Sequence, residues 1–94
     1  RLNGDAVNLK PLVGLLHGLP SSIIERLTID AIREHRELLE HAENLFNELP
    51  ADVKAGKEAG SNAHVAYLEA TIRLHAQMSA LTTLLHILGY TPKA

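Results

Sequence analysis

Histidines are the residues of this chain best suited to chemistry, and three of its six are evenly placed. His64, His75 and His86 recur every 11 residues, close to three helical turns, so a helix through them carries all three along one face. Metal ligands must converge on a single ion, whereas residues 11 apart on a helix are separated by about 16 Å. The helical ligand patterns, a Glu-x-x-His or two histidines four apart, are missing. No metal or other cofactor is expected, and the three histidines are expected to hydrogen-bond or face water. Covalent catalysis has little to work with either. There is no cysteine, and Ser21, Ser22, Ser61 and Ser79 lie in no Gly-x-Ser-x-Gly turn. No glycine-rich loop precedes a lysine with phosphate-binding spacing. The expectation is a protein without an active site.

The elements that position these residues follow from punctuation. A chain of 94 residues with 46% apolar and 21% charged residues has room for one small folded domain. Its net charge of −2 argues against a surface built to grip phosphate backbones. No apolar run approaches the roughly 20 residues that span a bilayer, and no signal-peptide pattern opens the chain, so a cytoplasmic location is expected. Pro11, Gly14, Gly18 and Pro20 frame an arm or short helix over about 9–20. Ser22 followed by Glu25 predicts a capping-box start for a helix over about 22–48, stopped by Pro50. A connector with Gly56 and Gly60 fills about 49–61. Ser61 or Asn62 then caps a second helix over about 62–88, ended by Gly89.

Both helices carry an apolar seam with alternating spacings of four and three. In the first it runs through Ile24, Thr28, Ala31, His35, Leu38, Ala42, Leu45 and Leu49. In the second it runs through Tyr67, Thr71, Leu74, Met78, Leu81, Leu85 and Leu88. His35, a polar residue within a seam, is expected to fix register through a hydrogen bond; a pH-sensitive contact is the other option. The acidic residues of the first helix alternate with Arg26, Arg33 and Arg36, the mark of a solvated surface. Further apolar columns remain: Ile32, Leu39 and Phe46 beside the first seam, and Leu68, Ile72, Leu84 and Ile87 beside the second. A two-helix hairpin buries one stripe per helix, so these columns predict a partner. The economical arrangement is all-α: two long antiparallel helices with a short N-terminal arm, forming a helical-bundle homodimer of coiled-coil type.

Three stretches resemble the TraM family of quorum-sensing antiactivators, from rhizobial and agrobacterial conjugative plasmids. They are LKPLVGLLHGLP (Leu9 to Pro20), LTIDAIREHRELLEHAENLFNELP (Leu27 to Pro50) and YLEATIRLHAQMSALTTLLHILGYTPK (Tyr67 to Lys93). Within them TIDAIR, HAQMSAL and ILG followed by a Pro-Lys pair are the most specific, and the connector from Ala51 to Ala63 departs most. The resemblance implies a protein that binds the LuxR-type activator TraR, even when it holds its acyl-homoserine lactone, and keeps it off DNA. Conjugal transfer genes would then stay silent. It implies no catalysis, no cofactor and no direct contact with nucleic acid.

Apolar groups beyond the seams are the expected activator contacts: Leu12, Val13, Leu15, Leu16 and Leu19 in the arm, with Ile87 and Tyr90 at the far end. Folding of the arm back over the bundle is the competing expectation. A helical scaffold, or a neutralising partner of some other protein, is the alternative function.

Overall fold

The computed structural model describes residues 13–94, so Leu12 lies outside the described residues. Helical residues 13–16 lead into helix α1 (Ser21–Asn47), a single-turn α2 (Ala51–Lys54) and helix α3 (Asn62–Leu88). Among the described residues there is no strand. No helix there is long and apolar enough to cross a membrane.

Helix α1 begins differently from the expected capping box. Pro20 occupies the N-cap with no side-chain cap bond, and its carbonyl accepts the amides of Ile23 and Ile24 at 3.0 and 3.2 Å. Ser22 is thereby inside the first turn, and the Glu25 carboxylate is engaged elsewhere. A proline with φ of −57° is already set for entry into a helix. The other end fits the expectation: Pro50 has no N–H with which to extend α1. It opens α2 instead, where the carbonyl of Asp52 accepts amides from Lys57 and Glu58. That turn, with Val53 buried beneath it, was not legible in the connector's mixed composition.

Helix α3 has the predicted ends. Ser61 Oγ accepts the amide of His64 at 3.2 Å, and His64 Nδ1 accepts the amide of Gly60 at 3.0 Å. His64 stands at the position usually taken by Glu or Gln in a capping box, but it accepts the amide one residue before the cap, that of Gly60, and not that of Ser61. Gly89 closes the helix at a φ of +89°, a left-handed conformation suited to glycine, and donates to the Leu85 carbonyl at 2.9 Å.

The two long helices pack antiparallel. Glu25 meets Tyr90, His35 meets Gln77 and Phe46 meets Tyr67, so rising numbers on α1 pair with falling ones on α3. On α1 the predicted seam is the inner face. Ile24, Thr28 and Ala42 are buried, as is Leu49 just past its end, and Ala31, His35, Leu38 and Leu45 are half-buried. Fully enclosed Thr28 meets its hydrogen-bonding need by donating to the Ile24 carbonyl at 2.7 Å.

On α3 the inner face is turned from the expected seam. Ala70, Leu74 and Leu84 are the buried residues, with Gln77 and Leu81 between them, while Met78 stands 43% exposed. Tyr67, Thr71, Leu85 and Leu88 are half-buried along the flank. Ala70 packs with Ala42 and Leu74, with Leu38 and Leu45 against them. Gln77 donates to the Ala31 carbonyl while its Oε1 lies 3.2 Å from His35 Nδ1. This polar pair locks the two helices in register, the part expected of His35.

Candidate protein-binding surface

The outer side of α1 is a solvated surface, where Arg26, Asp30, Arg33, Glu34, Glu37 and Glu40 are exposed. Helix α3 has only Glu69 and Arg73 as formal charges in its 27 residues. Val65, Leu68, Ile72 and Met78 all stand exposed on it, Ile72 at 67%. Exposed apolar side chains gathered on one side of a helix mark a contact surface.

His64, His75 and His86 lie along this outer side, as their spacing predicts, the first half-buried and the others exposed. Among the described residues no three potential ligands cluster around a metal position. Local bonds fix two of the rings. The Thr71 carbonyl can only accept, so His75 donates Nδ1–H to it at 2.7 Å and keeps a lone pair on Nε2. His64 has the opposite tautomer, since its Nδ1 accepts from Gly60 and its proton sits on Nε2.

A groove of about 370 Å³ opens between the helices, lined by Leu39 and Phe46 of α1 and by Tyr67, Thr71, Leu74 and His75 of α3. The rings of Phe46 and Tyr67 meet at 5.5 Å and a tilt of 53°, and Lys54 Nζ lies 5.2 Å above Phe46. Of the extra column anticipated on α1, Leu39 and Phe46 are exposed and Ile32 is half-buried.

Beyond Gly89 the chain turns back along α1. The Tyr90 hydroxyl donates to the Glu25 carboxylate, Pro92 is buried, and Arg36 donates to the Ala94 carbonyl at 2.9 Å. The hydrogen bond to Glu25 raises the Tyr90 pKa above the ordinary phenol value, with desolvation and the nearby negative charge acting in the same direction. Nothing in the local sequence announces this tie between residues 65 apart.

The residues anticipated as activator contacts are dispersed. Leu15 is 77% exposed, Val13, Leu19 and Tyr90 are also exposed, and Ile87 is half-buried. Leu16 is a correction to the anticipated set: at 7% exposure it belongs to the core. Residues 13–16 are helical, so neighbouring Leu15 and Leu16 point about 100° apart, one outward and one inward, and a turn closed by the Leu19 amide on the Leu16 carbonyl follows, with Gly18 at a φ of +85°.

Residues 2–93 match the family described as "Prokaryotic Transcriptional repressor TraM". Transcriptional repressor TraM of Agrobacterium fabrum is 57% identical over 88 residues, which cover 94% of this chain and 86% of that protein. Its counterpart in Rhizobium radiobacter is 54% identical over 87 residues, covering 93% and 85%. In three dimensions the chain is similar to the crystal structure of a second quorum-sensing antiactivator, TraM2 from A. tumefaciens. The TM-score is 0.88 at 54% identity, with 90% of this chain and 96% of that chain covered.

Proposed function

The chain belongs to the TraM family of prokaryotic transcriptional repressors and quorum-sensing antiactivators, and from that premise we propose that it binds a LuxR-type, TraR-like activator and prevents its binding to DNA. The observation that carries the reading is the family match over residues 2–93. In this reading the protein acts as a homodimer in the cytoplasm, touches no DNA itself, and represses conjugal transfer genes by stoichiometric binding.

The energetics are those of linked equilibria. An inhibitor that prefers an activator state unable to hold DNA opposes DNA through a coupling free energy. Moving a two-state population from about 99:1 to about 1:99 takes a roughly 10⁴-fold preference, about 5.5 kcal/mol. Burying one large apolar side chain supplies about 1.5–3 kcal/mol, so three or four suffice. The exposed set Val13, Leu15, Leu19 and Tyr90 contributes to that total and is the proposed activator contact. Leu16, being buried, is withdrawn from it.

Anisotropy of labelled operator DNA, held by the cognate activator and titrated with this protein, tests the reading. Saturable release near stoichiometric ratios is expected. Leu15→Glu should raise the concentration needed by at least about tenfold, or ~1.4 kcal/mol, with the fold unchanged. Retention of the DNA by activator in the presence of folded protein overturns the proposal.

A further inference from the structure

Two exposed apolar side chains near the start of α1, Ile23 and Leu27, belong neither to its inner seam nor to the contact set named above. They open a row with alternating spacings of four and three: Ile23, Leu27, Asp30, Glu34, Glu37 and His41, every member exposed. We infer that this row is a docking face for a helix of a partner protein, with apolar side chains at one end of its contact stripe and lysine or arginine along the rest. Under the activator reading, on which this rests, that helix comes from the part of the activator that grips DNA.

At about 100° per residue, Leu27, Asp30, Glu34, Glu37 and His41 all project within about 40° of Ile23. Alternating four and three is the spacing of a face that another helix lies along. The row is one-signed as well as straight. Asp30, Glu34 and Glu37 lie in it, while Arg26, Arg33 and Arg36 fall outside, about 60–140° round on one side. On the other side Leu39 and Phe46, which line the groove against α3, are about 140–160° away. The row is therefore a separate face from the groove, and the mixed charge of the outer surface of α1 is sorted along this edge of it.

Charge selects the occupant. A second copy fits the row badly in either direction. In parallel, acid meets acid; reversed about the centre, Asp30 meets Glu34 and Leu27 meets Glu37. Contacts of that kind reject a partner. Nucleic acid is repelled by the same carboxylates. A basic amphipathic helix fits: its apolar side chains cover Ile23 and Leu27, with exposed Leu19 four residues before Ile23, and its cations meet the three carboxylates. A protein that holds DNA carries lysine and arginine on the elements that meet the phosphates. From Ile23 to Glu37 the row is about 21 Å long, which about four turns of a partner helix match. Apolar burial then supplies affinity, and the carboxylates set partner choice and the rate of encounter.

The experiment is the kinetics of binding between this chain and its cognate LuxR-type activator, at about 50 and about 300 mM salt. For the unaltered chain, association should slow at least about tenfold between the two salts. Asp30→Lys combined with Glu34→Lys should slow association at least about tenfold at the lower salt and flatten the salt dependence. Leu27→Ser should instead speed dissociation by about tenfold, with association little changed. Arg33→Glu, outside the row, should not slow association. Urea midpoints and sedimentation accompany each variant. A clearly lower midpoint for Leu27→Ser would mean that the chain itself covers the row, and a loss of self-association that a second copy does. Unaltered kinetics in every variant, with operator DNA still released, would mean a contact elsewhere. Each of these results overturns the inference and leaves the activator reading standing, whereas an unaltered chain that does not bind the activator removes both.

Discussion

Helices α1 and α3 are equal in length at 27 residues and lie side by side, yet they specify their packing in different ways. Nine residues of α1 are Asp, Glu or Arg, and these confine burial to one stripe because a charge is costly to remove from water. Helix α3 has two formal charges, so nearly any of its faces can be buried. The first helix has its inner face written along it. The second acquires one from its neighbours, and it keeps spare apolar surface for further partners. A helix apolar on most sides belongs in the middle of an assembly, and this is the position α3 would hold in a dimer.

Substitutions can break this contrast, beginning with the core. Leu74→Ala removes the buried leucine that packs with Ala42 and Ala70 and should cost about 2–5 kcal/mol, read from urea denaturation; a loss under 1 kcal/mol would mean that the site is not the core. Charge placed on the two outer faces should act unequally. Ile72→Lys should weaken self-association by at least about tenfold, ~1.4 kcal/mol, in sedimentation at graded concentrations. Glu37→Lys on the solvated face of α1 should alter stability by no more than ~0.5 kcal/mol and leave association unchanged. Equal effects at the two positions would erase the distinction between the helices.

The helix starts give a finer comparison. Ser61→Ala removes a side-chain cap and should cost about 1 kcal/mol, while Ser22→Ala, at a start capped only by backbone, should be close to neutral. Urea midpoints of the two variants decide it, and a larger loss at Ser22 would restore the capping box there. The smallest effect concerns the tie between the end of α3 and the start of α1. The Tyr90 pKa is raised, so the tie to Glu25 is intact below the ordinary phenol value of about 10 and is lost as pH rises through the raised one. In a Tyr67→Phe background, phenolate absorbance should show a midpoint above 10, and Glu25→Gln should move it down. A midpoint at or below 10 before that change would mean the tie is absent in solution.

What the sequence by itself determined is what depends on neighbours along the chain. Ser61 and Gly89 close α3 where expected, and Pro50 prevents α1 from continuing, because caps and stops are local backbone chemistry. The inner stripe of α1 was legible because charges border it on both sides. The three histidines fall on one side of α3 because helical pitch fixes spacing. Tertiary structure alone decided the rotation of α3, through the close approach of Ala70 to Ala42 and the bonds from Gln77 to Ala31 and His35. It also decided that Leu16 turns inward while Leu15 stays out, and that Tyr90 reaches Glu25 across 65 residues. On a helix with few charges, periodicity leaves several faces of similar apolar content, and the choice among them falls to contacts that form only when distant parts of the chain meet.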